Sequence, residues 1–537
     1  MRLITERNQG FSWHHRGGVH AKGYLFDRAG IFRQGEATLD YFGTASDADS
    51  FREKLREANG CFALILETDR QLLAAVDPVR SMPLFHATNG GCVVLGDDVR
   101  AIQQEFEGEA QIDPVAREEL LRVGYTVGPS TLDPRIKQLE AGEMFVVDKA
   151  TARGRAEVYF SHAHGDYTNK GEESLIDELD EITTRWARRL IASSGGRTIV
   201  VPLSGGYDSR SIVCALRREN YPNVICCSYG VPTSYEHHIA RKVAARLGYG
   251  IHIVEYNRQR WESLIESSLL SKFCRFALQQ CAVPSVQEIL TLETLAAERA
   301  VPADSIFVPG YCGDLLGGSY VPFETGNNHS EAVLVEGIDN YLYRRLFTNW
   351  RKPIMPETKQ AILDRIHDYT SRFKADDIQS FCSVLEDWFT RHKVAKFVIN
   401  AVRTYEFFGH EWRLPLWDKE LIAWWYRIPL RFRVNSVLYH RYLFDRLFNP
   451  MGVGFRKPWI LDSLRRSVRP RLPARLARFL RRFYVSTIGR IQPNSLDVDA
   501  FEELSSLLLD RVLLGVDRRG FGNVNGAVAA WCLCNSG

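Results

Sequence analysis

The stretch VVPLSGGYDSRSIVCALRREN, residues 200–220, combines an apolar run, a glycine turn and a helical pattern. A strand that ends in Ser-Gly-Gly and leads into a helix brings unpaired backbone N–H groups and the positive end of the helix to one point. Gly205 and Gly206 let the backbone approach a ligand closely, and Ser204 and Ser209 add hydroxyl donors. The stretch therefore predicts a phosphate-binding turn at the carboxyl end of a strand.

Asp208 lies in the same turn and needs its own explanation, because a bare carboxylate repels a phosphate group. A divalent cation removes this conflict, since Mg²⁺ binds a carboxylate and phosphate oxygens together. The chain contains no Gly-Lys dipeptide, so the turn is not of the Walker type. A glycine turn with capping hydroxyls and no ligand would explain Ser-Gly-Gly alone, but it does not readily explain Asp208 together with Ser209.

From residue 198 onward, strand-like runs alternate with helical patterns. The runs are TIVVPL (198–203), NVICCS (223–228), IHIVEY (251–256) and SIFVPG (305–310). This alternation predicts a doubly wound α/β fold, in which a parallel sheet carries helices on both faces. Glycine-bearing loops follow the first, second and fourth runs, and the carboxyl ends of parallel strands share one edge of the sheet. We therefore expect these loops to converge on a ligand.

The parts on either side of this pattern differ from it. Residues 1 to about 160 are rich in short apolar runs, such as CFALILET, QLLAAVD and EMFVVDK, which predict a β-rich domain. Residues 330–460 are mostly helical in pattern and rich in aromatic residues, which we assign to core packing. Residues 465–483 carry eight arginines. Such a segment is typical of a membrane-surface or polyphosphate contact or, in the interpretation we favour, of a solvated helix face.

The bulk composition excludes several classes of protein. With 537 residues, the chain exceeds what one hydrophobic core usually serves. A net charge of +3 argues against a general nucleic-acid binder. The eleven cysteines form no C-x-x-C pair, so we expect buried thiols instead of disulfides or a zinc site. The sequence shows neither a secretory leader nor an apolar run of about 20 residues, so we expect a cytoplasmic protein.

The turn LSGGYDS resembles the pyrophosphate-binding loop of the N-type ATP pyrophosphatases, and the chain around it resembles the asparagine synthetase family. Four further stretches carry the resemblance: PGYCGDLLGGSY (309–320), EWRLPLWDKELIAWWYRIP (411–429), ANGCFALIL (58–66) and DPVRSMPLF (77–85). The resemblance implies three parts, namely a glutamine amidotransferase-like domain of the Ntn-hydrolase kind over residues 1–160, an ATP pyrophosphatase domain over residues 170–465, and a basic extension over residues 466–537.

The resemblance also implies an ATP-dependent amide-forming ligase with ATP and Mg²⁺ as cofactors. A substrate carboxylate attacks the α-phosphorus of ATP, pyrophosphate leaves, and ammonia or an amine attacks the acyl-adenylate. Asp208, Asp314 and Lys457 would carry the catalysis; the two aspartates would hold the metal, and Arg456 is the alternative to Lys457 as a further cation. The other residues that the resemblance assigns to the nucleotide are Ser204, Gly205, Gly206, Ser209, Tyr229, Gly230 and Gly310, with Tyr229 and Gly230 beside the adenine.

The sequence departs from the family in both halves. The family's glutaminase domain uses an N-terminal cysteine, whereas residue 2 is Arg2 and the first cysteine is Cys61, inside a predicted strand. We therefore expect a structural remnant without glutaminase activity. Tyr311 and Leu315 replace glutamates of the family's second loop, so we do not expect simple aspartate as substrate. The pattern is similar to asparagine-synthetase-like proteins of bacterial surface-polysaccharide clusters, which implies amidation of a sugar uronic acid.

Three other interpretations remain open. Intramolecular amide synthetases of the β-lactam or lasso-peptide kind have also lost the N-terminal cysteine. A non-catalytic relic scaffold would not need both Asp208 and Asp314. A tRNA thiolase would need a sulfur-handling cysteine pair and a basic surface, which the composition does not indicate. We expect small-molecule partners and no nucleic acid, with weak membrane contact through residues 465–483 as a further candidate.

Overall fold

The computed structural model describes residues 1–232, 234–321, 334, 336–456, 500–512, 521 and 523–535. Its N-terminal part is rich in strands, as the apolar runs predict. The elements of this part are β1 (Arg2–Ile4), β2 (His14–Arg16), β3 (Val19–Phe26), β4 (Phe32–Gln34), α1 (Glu36–Phe42), α2 (Ala48–Glu57), β5 (Asn59–Glu67), β6 (Gln71–Val76), β7 (Phe85–Asn89), β8 (Cys92–Gly96), α3 (Val99–Gln103), α4 (Pro114–Val123), β9 (Ile136–Gln138), β10 (Glu143–Asp148) and β11 (Arg153–Val158).

Two sheets form this N-terminal part. The larger has the strand order β11-β10-β6-β5-β3-β2, with β4 beside β3, and all of its pairs are antiparallel. The smaller has the order β1-β8-β7-β9. Helices α1 and α2 pack on one face of the larger sheet, where Phe42 and Phe51 share a core with Leu25 and Leu64. The prediction of a β-rich N-terminal domain is therefore confirmed.

Local sequence signals fix the ends of the helices in this part. Asp47 and Ser50 form a reciprocal capping box at the start of α2, which uses N–H groups that the helix itself leaves unpaired. Helix α4 begins with Pro114 after the capping Asp113 and ends at Gly124, whose φ of 90° suits glycine. These short helices were not evident from hydrophobic periodicity because each has only one or two turns of buried residues.

The second part begins with a long helix and continues as an α/β pattern. Its elements are α5 (Glu172–Ser194), β12 (Ile199–Pro202), α6 (Asp208–Arg218), β13 (Val224–Gly230), α7 (Tyr235–Leu247), β14 (Gly250–Glu255), α8 (Arg258–Glu266), α9 (Ser268–Leu278), α10 (Ile289–Ala297), β15 (Ile306–Phe307) and α11 (Gly313–Leu316). Strands β12 to β15 coincide with the four predicted runs, although β15 is shorter than its run.

The remaining described elements are mainly helical, as the pattern of residues 330–460 predicts. They are α12 (Ile338–Leu346), α13 (Pro356–Thr370), α14 (Ile378–Trp388), a π-helical segment (Phe389–Val398), a 3₁₀ turn (Ile399–Val402), α15 (Arg403–Phe407), β16 (Glu411–Trp412), a 3₁₀ turn (Pro415–Trp417), α16 (Lys419–Trp425), α17 (Leu430–Arg433), a 3₁₀ turn (Val434–Ser436), α18 (Val437–Tyr442), a second π-helical segment (Leu443–Phe448), α19 (Phe501–Arg511) and α20 (Val524–Asn535).

A parallel sheet organises the second part, in the order β14-β13-β12-β15-β16. The predicted parallel sheet is confirmed. Strand β16 was not predicted, because its two residues, Glu411 and Trp412, show no alternating pattern. It pairs with β15 and thereby brings a segment from far along the chain to the edge of the sheet.

Buried charges join the two parts. Arg391, in the first π-helical segment, donates to Glu143 Oε1 at 3.1 Å, and Lys396 Nζ donates to the carbonyl of Thr126 at 3.0 Å. His392 Nε2 lies 3.4 Å from Glu140 Oε1. Burial alone would raise the pKa of Glu140, but Lys396, His392 and Arg391 together hold it below its usual value. Each part therefore supplies counter-charges inside the other.

The connection between the parts is also fixed. His162 is fully buried between them; one ring nitrogen lies 2.6 Å from the Tyr426 hydroxyl and the other 2.6 Å from the carbonyl of Pro78. Its backbone N–H donates to Asp387 Oδ1 at 2.9 Å. Burial lowers the pKa of His162 to about 4, so the ring is neutral at pH 7.

All eleven cysteines are free. Eight of them are buried, as predicted. Cys92 and Cys312 are half-buried and Cys534 is exposed, so the prediction of buried thiols is wrong for these three. In the ranges given above, no helix has the length and apolarity needed to span a bilayer. The arginine-rich segment 465–483 lies outside the described residues.

Candidate active site

The turn after β12 has the geometry of an anion-binding site. Ser204 N–H donates to Ser209 Oγ at 3.2 Å, and Gly206 N–H donates to Ser204 Oγ at 3.1 Å. The two serine hydroxyl oxygens lie 3.4 Å apart. Helix α6 begins at Asp208, and Tyr207 before it provides no side-chain cap. The amino end of α6 and two hydroxyls thus face the same point, which suits a group with several anionic oxygens.

A second loop, residues 309–318, lies directly against this turn. A Cβ added at Gly310 would lie 2.5 Å from Ser209 N, so only glycine permits this approach. A Cβ at Gly313 would lie 3.1 Å from Asp208 Oδ1. The Tyr439 hydroxyl, from α18, donates to the same Asp208 oxygen at 2.9 Å. The loops that follow the first and the fourth predicted strand therefore meet, as expected, and Asp208 lies at their junction.

A cavity of about 910 Å³ opens above this junction at the carboxyl edge of the parallel sheet. Six residues assigned to the site line it: Ser204, Gly206, Asp208, Ser209, Tyr229 and Gly310. Of the two positions that depart from the family's second loop, Tyr311 lines the cavity and Leu315 is buried. Only Tyr311 of this pair can therefore touch a ligand there.

Two further assigned residues, Gly205 and Gly230, do not line the cavity. The carbonyl of Gly205 accepts a hydrogen bond from buried Arg210, and that of Gly230 accepts one from the Tyr256 N–H. Asp314 follows Gly313 in α11, but the position of its side chain is outside the description. Lys457 is likewise outside the described residues.

Arg456, the alternative to Lys457, lines the cavity. The chain reaches this position because Arg210 donates to the carbonyls of Val453 and Phe455, at 3.1 and 2.7 Å. A buried guanidinium in α6 thus holds the segment before Arg456 beside the phosphate turn. Sequence reasoning gave no sign of this link, since more than two hundred residues separate its ends.

Several lining residues were not predicted. The sequence gives no local signal for them because they come from helices that contain no glycine-acid motif. They are Glu236 from α7 and Tyr439, His440, Arg441, Phe444 and Asp445 from α18 and the second π-helical segment. Tyr439 is the most informative of them, because it contacts Asp208 directly.

Glu288, just before α10, forms the centre of a tyrosine cluster on another wall of the cavity. The hydroxyls of Tyr229 and Tyr311 donate to its Oε1 at 3.2 and 3.3 Å, and the Tyr405 hydroxyl donates to its Oε2. Burial raises the pKa of Glu288, while the tyrosine hydroxyls oppose the rise. Burial and the nearby carboxylate raise the pKa of Tyr311 and Tyr405, so both hydroxyls keep their protons.

The donor set at Asp208 fits magnesium when phosphate is present. Among the residues that the structure describes, no group of three His, Cys, Asp or Glu side chains is close enough to hold a metal ion alone. Mg²⁺, however, is usually held by one or two carboxylates together with substrate phosphates and water. The Asp208 carboxylate lies beside an anion-binding turn and has hydroxyl oxygens around it, so it meets that requirement.

The first cysteine of the sequence, Cys61, does not present an exposed thiol in the N-terminal domain. Cys61 lies in β5 and is 3% exposed, with its sulfur 3.6 Å from the Tyr24 hydroxyl. Burial raises the pKa of this thiol well above its usual value, so it does not form a thiolate at neutral pH. Arg2 lies in β1 and pairs with Glu105 at 2.6 Å.

Comparisons with known proteins agree with this description. The model of the asparagine synthase family matches residues 187–477, and a glutamine amidotransferase domain model matches residues 48–160. Asparagine synthetase [glutamine-hydrolyzing] 1 of Bacillus subtilis is 25% identical over 239 residues, which are 43% of this chain and 35% of that protein. The chain thus spans about a third of this relative's length.

Two solved structures have a partial likeness to the chain. Glutamine phosphoribosylpyrophosphate amidotransferase from B. subtilis is 11% identical over 55% of this chain and 63% of its own, with a TM-score of 0.19. The NH₃-dependent NAD synthetase of Campylobacter jejuni is 15% identical over 37% of this chain and 95% of its own, with a TM-score of 0.20. Scores this low carry no argument. The asparagine synthase model, in contrast, covers more than half of the sequence, and the chain therefore belongs to the asparagine synthase family.

Proposed function

We propose that this chain is an ATP-dependent ligase that adenylates a substrate carboxylate, releases pyrophosphate and forms an amide. One observation carries the proposal: the phosphate turn and the second loop meet at Asp208 on the wall of a single cavity. A volume of about 910 Å³ is within the usual range of ligand pockets and admits a nucleotide with a small acid beside it.

The turn after β12 would bind the leaving pyrophosphate. The N–H groups at the start of α6 and the hydroxyls of Ser204 and Ser209 are fixed before the reaction, so they stabilise the developing charge without reorganising. Asp208 and Asp314 would hold Mg²⁺, which neutralises phosphate charge when it is bound. Arg456 or Lys457 would add a positive charge at the mouth of the same cavity. Tyr229 would offer the adenine a flat wall, since its ring stacks on that of Tyr256.

The substrate we propose is a sugar uronic acid of surface-polysaccharide synthesis. Tyr311 places a hydroxyl on the cavity wall where the family has an acid, and this hydroxyl can form a hydrogen bond with a polar, hydroxyl-bearing substrate. We also propose that the N-terminal domain is a structural remnant, because its buried Cys61 thiol cannot act as the nucleophile.

The test is exchange of labelled pyrophosphate into ATP with a panel of carboxylates, including glucuronate, galacturonate, a nucleotide-linked uronic acid, aspartate and a peptide acid. We expect exchange only when the correct carboxylate is present. Asp208→Asn should lower its rate roughly a hundredfold or more, because a preorganised charge contact is lost. Asp304→Asn, an exposed aspartate before β15, is the matched control and should change nothing. If no carboxylate of the panel supports exchange and the protein does not bind ATP, the ligase proposal is refuted.

A further inference from the structure

Glu288 is a buried carboxyl group without a positively charged partner. It is 6% exposed, and no described lysine, arginine or histidine nitrogen lies within 4 Å of its oxygens. Other buried acids of the second part, such as Glu386 and Glu406, are paired with arginines. A buried negative charge without a counter-charge is costly, so an unpaired acid on a cavity wall needs an explanation.

The tyrosine cluster defines what Glu288 can bind. Three phenol O–H groups donate to the carboxylate, which leaves phenol and carboxylate oxygens as acceptors on this side of the cavity. A ligand that complements acceptor oxygens must bring N–H or O–H donors, and one that also balances the carboxylate must be positively charged. The arginines that line the cavity do not pair with Glu288: Arg441 pairs with Glu172 at 2.9 Å, and Arg456 lies over the Phe444 ring.

The placement of the cluster connects it with the phosphate turn. Tyr311 directly follows Gly310, whose backbone lies against Ser209. A ligand held by Tyr311 and Glu288 therefore lies in the same cavity as a nucleotide on the turn, on a wall built by the second loop, β13 and the start of α10. Such a ligand is a second reactant that shares the cavity with the nucleotide.

We infer that Glu288 and Tyr311 form the binding site of the nitrogen donor and take it as a cation, either ammonium or a primary ammonium group. The inference rests on the proposed ligase function, whose nitrogen donor the sequence leaves open. The charge of Glu288 and the acceptor oxygens of the cluster together recognise the N–H groups of the cation. One proton then passes from the cation to the Glu288 carboxylate, and the lone pair of the neutral amine attacks the acyl-adenylate as AMP leaves. Tyr405, which is fully buried behind Glu288, holds the carboxylate in place.

The experiment measures AMP release at saturating ATP and carboxylate with three nucleophiles: ammonium chloride, ethylamine and hydroxylamine, which is uncharged near neutral pH. Glu288→Gln should raise the KM for the charged nucleophiles roughly tenfold to a hundredfold, because hydrogen bonds to charged groups contribute that much, and should affect hydroxylamine far less. Turnover with ammonium but not with ethylamine would identify ammonia as the nitrogen donor. A preference for ethylamine would identify a larger amine as the donor. Glu298→Gln, an exposed residue just after the same helix, is the control and should leave all three KM values unchanged.

An equal change for all three nucleophiles, or no change, would overturn the inference. Because Glu288→Gln alters a buried site, Tyr311→Phe serves as a second variant that keeps the ring; we expect a rise of about fivefold in the KM for ammonium from the lost hydrogen bond. If no carboxylate supports exchange, the ligase proposal fails, and calorimetric titration with methylammonium chloride decides the binding site separately. Heat of binding that disappears in Glu288→Gln would support the site, and no heat with the unaltered protein would refute it.

Discussion

Single residues decide how closely the two loops of the site approach each other. The residues of the phosphate turn could be predicted from sequence because they are contiguous and their spacing is local. Glu288 and Tyr439 could not, because they reach the cavity only through the fold of distant helices. Leu315 shows the limit of comparison by motif, since it occupies a position next to the site but its side chain packs in the core.

Gly310→Ala tests this close approach. The new Cβ would lie 2.5 Å from Ser209 N, so one loop must move away from the phosphate turn. We expect the pyrophosphate exchange rate to fall about tenfold or more and the unfolding free energy to fall by about 1–3 kcal/mol, as for other overpacked sites. Gly171→Ala is the control, because no atom lies within 4 Å of its added Cβ and its φ is −76°. Equal exchange rates in the two variants would contradict the assigned contact.

Secondary-structure elements were predicted best where their pattern is long. The strands of the parallel sheet and the helical region were evident from periodicity, whereas β16 is too short to show one. The connection from β11 to α5 is polar in sequence and shows no hydrophobic pattern that would predict a buried contact. In the structure, His162 of this connection is buried, and its ring forms hydrogen bonds with residues of both parts. Nothing local in the sequence distinguishes this histidine from the solvent-exposed ones.

We expect His162 to make the protein sensitive to acid. Its folded-state pKa of about 4 lies below the usual 6.5, so the unfolded chain binds the proton more readily and stability falls as the pH drops from about 6.5 to 4. Relative to His162→Gln, the unaltered protein should lose about 3 kcal/mol of unfolding free energy over this interval, measured by urea unfolding.

The matched control for this measurement is His238→Gln, which removes an exposed histidine of α7. Its acid profile should follow that of the unaltered protein. Parallel profiles for His162→Gln and the unaltered protein would show that the buried ring does not govern the acid response.

At the scale of the whole molecule, sequence predicted a β-rich domain joined to an α/β domain, but not how the two are held together. The buried polar side chains that join them lie in segments without any motif; they are those of Arg391, His392, Lys396, Glu140 and Glu143. Their pairing depends on the folded arrangement of both parts, and a pattern along one segment contains no information about it.

The nitrogen source of the whole molecule depends on whether its N-terminal domain has glutaminase activity. We expect ammonium to support AMP release and glutamine to give none, with no glutamate formed above the blank, because the thiol of Cys61 is buried and protonated. Amino-acid analysis of the reaction mixture measures this, and ammonium chloride in a parallel reaction shows that the preparation is active. Glutamate released in step with AMP would show a working glutaminase.

The ion pairs across the junction also bear on why the N-terminal domain persists. Arg391, His392 and Lys396 are almost completely buried, and their acidic neighbours Glu140 and Glu143 belong to the other domain. Without that domain, the helical half would expose the two cationic side chains of Arg391 and Lys396 and the neutral ring of His392. The N-terminal domain therefore neutralises charge in the interior of its neighbour, a role that does not depend on its own chemistry.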